Sequence, residues 1–275
     1  MFRRLAAAAA FAALPFAATA QSEAPSPSAL LTAVGIEDML DIMREEGISY
    51  ATELAGDLFP GRGGAQWSAM VERIYDRTAM EEAVRGRAEP ALSEAEVEEL
   101  TAFFTSETGR KIVSLEISAR RALLDEAVEQ MSEESYAAAL EEGDPRLDLL
   151  EEFVEANDLV ERNVVGALNS NYAFYAGLAD GGAFDFDLTE EQILRDVWGQ
   201  EPEIRTDTTE WLYSYLFLAY RPLSDDELEA YIALSASDAG QALNGALFEG
   251  FDAMFNGISA ALGMAAAQFM GGQEL

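Results

Sequence analysis

Apolar residues recur at three- and four-residue spacing through nearly the whole chain, and no run alternates as a half-buried strand would. Ile36, Met39, Leu40 and Met43 share one helical face while Glu37, Asp41, Arg44 and Glu45 take the other. That predicts an amphipathic helix interrupted at Gly47, then a second reaching about Leu58, then a turn at Phe59-Pro60-Gly61-Arg62-Gly63-Gly64. Helical spacing resumes from Trp67 to about Gly86, and a later helix is carried by Ile112, Leu115, Ala119, Leu123, Ala127 and Met131. Asp207 and Glu210 are expected to cap Trp211–Tyr220, a stretch apolar on every side and therefore expected to be the central helix. The last run, Ala239–Met270, has small residues at Ala253, Gly257, Ala261 and Ala265. Such a stripe allows close backbone approach, and burial against the first half is expected rather than stable membrane insertion.

One segment occurs twice, 131 positions apart. Leu92-Ser93-Glu94-Ala95-Glu96-Val97 returns as Leu223-Ser224-Asp225-Asp226-Glu227-Leu228, each followed by Ser-x-x-Gly at Ser106–Gly109 and Ser237–Gly240. At the same offset Trp67 meets Trp198, Asp76 meets Asp207 and Ala88 meets Ala219. In both copies the first serine can cap a helix whose third residue is a glutamate reaching back, with an apolar staple across the cap. The second serine starts another helix, and its glycine marks where two helices approach too closely for a side chain. The fold expected is all-α: two degenerate helical repeats packed together, residues 29–142 and 143–275, without a sheet. Gly143-Asp144-Pro145 is the boundary, with Asp144 as cap and Pro145 leading the next helix.

Residues 1–20 read as a secretory leader: Arg3 and Arg4, an apolar run from Leu5 to Phe16, then Ala18-Thr19-Ala20 before Gln21. Residues 21–28 follow as a polar, proline-containing flexible lead. Secretion through the general pathway and a periplasmic location are therefore expected. The net charge of −34, from 17 basic and 51 acidic residues, excludes nucleic acid as a partner. With no cysteine and no histidine, disulfides, Cys-His and Ser-His-Asp catalysis and ordinary zinc sites are closed to the chain. No cofactor is expected.

Residues 92–111, from Leu92 through Phe103-Phe104 and Ser106-Glu107-Thr108-Gly109 to Arg110-Lys111, resemble the signature of the domain-of-unknown-function family 2059. That signature is an acidic capped helix, an aromatic pair, Ser-x-x-Gly and a basic residue, in small secreted helical bacterial proteins. The copy at 223–242 keeps the caps but has Leu234-Ser235 for the aromatic pair and Gln241-Ala242 for the basic end. The resemblance implies a periplasmic helical fold and no established activity.

Three clusters are candidates for function. Arg110, Lys111, Arg120 and Arg121 are the one basic concentration, suited to an anionic ligand or acidic partner, or to pairing with surrounding carboxylates. Asp180 to Glu191 offers closely spaced oxygens without the register of an EF-hand, so no metal site is expected there. Glu133-Glu134 faintly suggests glycan chemistry. The expected role is a non-catalytic binding or scaffolding protein of the bacterial cell envelope, acting on an envelope protein or ligand. A carboxylate-dependent envelope glycan hydrolase is the runner-up. Convergence of carboxylates with raised pKa values in a pocket would distinguish it.

Overall fold

The computed structural model describes residues 25–184 and 189–271, and among them the regular elements are all helical. The first half holds α1 (Pro27–Ala33), α2 (Ile36–Leu58), α3 (Gly64–Ile74), α4 (Arg77–Ala88), α5 (Glu94–Phe104), α6 (Glu107–Ala122) and α7 (Glu126–Glu142). The second holds α8 (Arg146–Asn157), α9 (Leu159–Asp180), α10 (Glu190–Trp198), α11 (Glu201–Tyr220), α12 (Asp225–Ser235) and α13 (Asp238–Met270). A 3-10 turn, Glu89–Ala91, carries Pro90 between α4 and α5. The leader, residues 1–20, and positions 21–24 of the lead lie outside the described residues. Within the rest of that lead, α1 already begins at Pro27, because the Ser26 hydroxyl accepts from the Ala29 amide at 3.1 Å and proline suits the first helical position.

The two serine-led hairpins are built by the same bonds. Ser93 and Ser224 each close a capping box, with Glu96 and Glu227 accepting from the serine amides at 2.7 and 2.8 Å. Ser106 and Ser237 accept from the Gly109 and Gly240 amides at 3.0 and 3.1 Å. A Cβ on Gly109 would stand 2.2 Å from the Phe103 carbonyl oxygen, and one on Gly240 would stand 2.0 Å from that of Leu234. Each glycine is required because the preceding helix's last carbonyls turn in against it.

Neighbour relations also exchange between the halves. α1 packs on α5 as α8 does on α12; α2 packs on α4 as α9 does on α11; and α4 lies on α13 while α11 lies on α6. α7 has no counterpart and packs against α11.

Several expected breaks fall elsewhere, and each has a local cause. α2 runs unbroken through Gly47, where the Tyr75 ring lies so close that a Cβ would meet it at 2.0 Å. Gly47 is thus a packing notch rather than a helix stop. The chain breaks instead before Asp76, which accepts from the Ala79 amide at 2.9 Å to start α4. The expected run from 112 to 131 is divided before Asp125, which caps α7 through the Ala127 amide at 2.9 Å. α11 starts at Glu201, with Pro202 in its first turn, rather than at Asp207.

The central helix is α13, not α11. α13 contacts α9, α4, α5, α3 and α2, whereas α11 builds a second cluster with α6, α7 and α8. Small residues decide this. A Cβ on Gly263 would lie 2.2 Å from the Phe174 carbonyl oxygen, and one on Gly177 of α9 would lie 2.3 Å from that of Ala260. Gly250 makes a similar approach to Val84 of α4. The expected stripe through Gly257 is not the contact face, since Gly257 is exposed; the buried line is Gly250, Met254, Ile258 and Leu262. By length and composition α13 is also the one described helix able to cross a membrane.

Candidate functional site

The four basic residues singled out by sequence do not converge. Arg110 donates to the Thr105 carbonyl of its own hairpin. Lys111 pairs with Glu227 at 2.6 Å, tying α6 to the second capping box. Arg121 sits 3.9 Å from Asp38. Arg120 alone lines a cleft. Its guanidinium lies 4.6 Å over the Trp211 ring and pairs with Glu46 at 2.6 Å. Each cation is placed by an acid or carbonyl near it, as a strongly acidic surface dictates.

That cleft, about 440 Å³, also presents Tyr50, Glu53 and Glu129. Burial raises the Glu46 carboxyl, Arg120 pulls it back, and Glu129 and Glu45 raise it again. Glu134 is elsewhere, exposed on α7 and accepting from Gln130 at 3.0 Å. In the oxygen-rich loop, Asp185 and Asp187 lie outside the described residues, while Glu190 and Glu191 engage Tyr172 and Arg195. Among the described residues no three acidic side chains cluster as a metal would require.

A second cleft, about 480 Å³, opens between α9 and α13. Its walls are apolar: Phe248, Phe251, Phe255 and Leu247 from α13, with Met43 reaching over from α2. Only two charged groups line it, Arg162 and Asp252. The Arg162 guanidinium stands 5.4 Å over the Phe248 ring, and its buried Nε has no acceptor. Among the described residues Asp252 has no hydrogen-bond or ion-pair partner; burial raises its carboxyl, and Arg162 only partly offsets this from beyond bridging distance. Gly166 gives it room, since a Cβ there would lie 2.9 Å from Asp252 Oδ1. The arrangement is that of a small-molecule site: aromatic walls, few polar groups, and polar groups left unmatched.

Residues 79–135 match the model of a family described as uncharacterized protein conserved in bacteria (DUF2059). The similarity covers this stretch alone, well under half of the chain. It runs from α4 through the first capped hairpin into α7, so the residues that carried the resemblance, 92–111, fall inside it. The second copy at 223–242 and the α9–α13 cleft fall outside it. No curated protein and no solved structure matches the chain.

Sequence reasoning missed the α9–α13 cleft and its residues. The available signal was Arg162 as the one cation of α9, together with Asp252 as the last charge before a long neutral run.

Proposed function

We propose that this is a non-catalytic binding protein of the bacterial cell envelope whose ligand seats between α9 and α13. The observation that carries the reading is the cleft's chemistry: aromatic walls around a guanidinium whose buried Nε–H has no acceptor. An unmade bond of that kind costs about 1–3 kcal/mol, a cost that a bound acceptor would remove. The leader-like residues 1–20 support export, and with them a periplasmic location. N-Phenyl-1-naphthylamine, an uncharged probe of apolar sites, is expected to bind with saturable fluorescence gain at one site per chain. Gly166→Leu fills the cleft and pushes the Asp252 carboxylate aside, its Cβ standing 2.9 Å from Oδ1, so it should abolish the signal while far-ultraviolet circular dichroism shows the helical fold retained. Unchanged binding by that variant would move the site elsewhere.

A second reading, the carboxylate-dependent glycan hydrolase, draws on Glu46 beside Glu129 in the other cleft. It requires the intact protein to turn over peptidoglycan and Glu46→Gln to stop it. Absence of turnover by the intact protein removes this reading and leaves the binding one untouched.

A further inference from the structure

We propose that the α9–α13 cleft takes a zwitterionic single-chain phospholipid, with its phosphate on Arg162, its ammonium on Asp252 and its chain along the phenylalanine wall. The assignment rests on reading this cleft as the binding site, and it follows from how the two charges are left.

Arg162 is held over Phe248 with Nε buried and unengaged. A guanidinium is planar and forked, and phosphate is the group its parallel N–H donors match best. Phosphate alone would leave Asp252 facing an added negative charge, in a chain already at −34. Among the described residues Asp252 has no cation within bridging distance, although an arginine lines the same cleft. Two opposite charges that share a cleft without closing on each other complement a dipolar head group. A purely anionic head satisfies one and repels the other.

The rest of the lining fixes the remainder of the ligand. Asn163 and Asn244 each spend one amide N–H on a main-chain carbonyl, of Leu159 and Asn157, at 2.7 Å, so Arg162 is the one cationic donor of the lining and the asparagines can add only a neutral N–H each. Phe251, Phe255, Leu247 and Met43 offer only carbon and sulfur, which calls for an apolar chain. The rings also suit an ammonium placed over their faces beside Asp252. At about 480 Å³ the cleft accepts a head group and the first part of one chain rather than two chains.

The test compares lysophosphatidylethanolamine with lysophosphatidylglycerol of the same chain length, each below its micelle concentration. Displacement of N-phenyl-1-naphthylamine and titration calorimetry on the full chain report binding. The zwitterionic lipid is expected to bind about tenfold more tightly or better, one charge-assisted contact being sufficient for that ratio. Asp252→Asn should bring the two lipids to near equality by admitting the anionic one. Arg162→Gln should weaken both about tenfold. Equal affinities on the unaltered protein, or a ratio that Asp252→Asn leaves unchanged, would overturn the head-group assignment while naphthylamine binding upheld the cleft. Displacement by an apolar dipeptide but by neither lipid would overturn it too. No naphthylamine binding at all would instead overturn the cleft reading. The comparison on the unaltered protein stands even if Arg162→Gln fails to fold.

Discussion

Gly263→Ala is expected to cost about 3 kcal/mol of stability, which in a chain of this size lowers the melting temperature by roughly 5–10 °C. The reason is backbone against backbone. The added methyl would meet the Phe174 carbonyl oxygen at 2.2 Å and the Leu178 amide nitrogen at 2.8 Å, and neither can swing aside as a side chain would. Relief requires α9 and α13 to separate along the contact that joins them most extensively. Gly257→Ala, six positions earlier on the same helix, is the control. Nothing lies within 4 Å of a Cβ there, so alanine gains helix propensity and should hold or raise the melting temperature. Circular-dichroism melts of the two variants decide the matter, and equal shifts would refute the close-approach account. Gly109 and Gly240 present the same obstruction at their hairpins.

Spacing and capping made the helices, the two serine-led hairpins and the class of fold legible, because those features are local. A capping box needs only a serine and a glutamate three residues on, and both copies form it. Which helix becomes central is not local. Trp211–Tyr220 looked the more buried by composition, yet α13 takes that place because Gly177, Gly250 and Gly263 let it approach two neighbours more closely than any large side chain permits.

The duplicated tryptophans show the same limit. Trp67 is 4% exposed, donates to the Ala51 carbonyl at 2.9 Å and packs against Phe59 and Phe269, whereas Trp198 is 62% exposed. The difference traces to length. α13 runs 33 residues and its far end covers α3, while its counterpart α6 ends after 16 residues at Ala122, leaving the equivalent surface on α10 open. The basic cluster of sequence dispersed for a related reason: residues adjacent on α6 point toward different helices, each with its own carboxylate or carbonyl.

One half-buried acid, Glu116, has its carboxyl end held among tyrosines. Glu116 lies one helical turn after the fully buried Ile112 and just before the buried Ala119, on the face of α6 turned toward α11 and α12. Tyr220 donates to its Oε1 at 2.6 Å, Tyr231 adds a second hydrogen bond, and Tyr215 donates to its main-chain carbonyl at 3.3 Å. Burial pushes the carboxyl from 4.5 up to about 7, against the smaller downward pull of the two tyrosine hydroxyls. Arg120, one turn further on, is committed to Glu46 and gives it no bridge.

Below pH 4.5 Glu116 is protonated in folded and unfolded chains alike, and it costs nothing. Between 4.5 and about 7 only the unfolded chain releases the proton, so stability falls as pH rises and stays low above 7. At 1.36 kcal/mol per unit the ceiling is about 3 kcal/mol, and the residual solvent contact of this half-buried side chain brings it to about 2 kcal/mol. Glu116→Gln keeps an acceptor for Tyr220 and cannot ionise. It should match the parent at pH 4 and melt roughly 4–8 °C higher at pH 8. Glu46 and Asp252 are raised too, and the net charge of −34 adds its own repulsion. For that reason the difference between parent and variant across pH is the measurement, rather than either curve alone. Tyr220→Phe should widen the gap at pH 8, since it removes the bond that favours the charged form. A parent-minus-variant difference that stays flat from pH 4 to pH 8 would show that Glu116 ionises as freely in the fold as outside it.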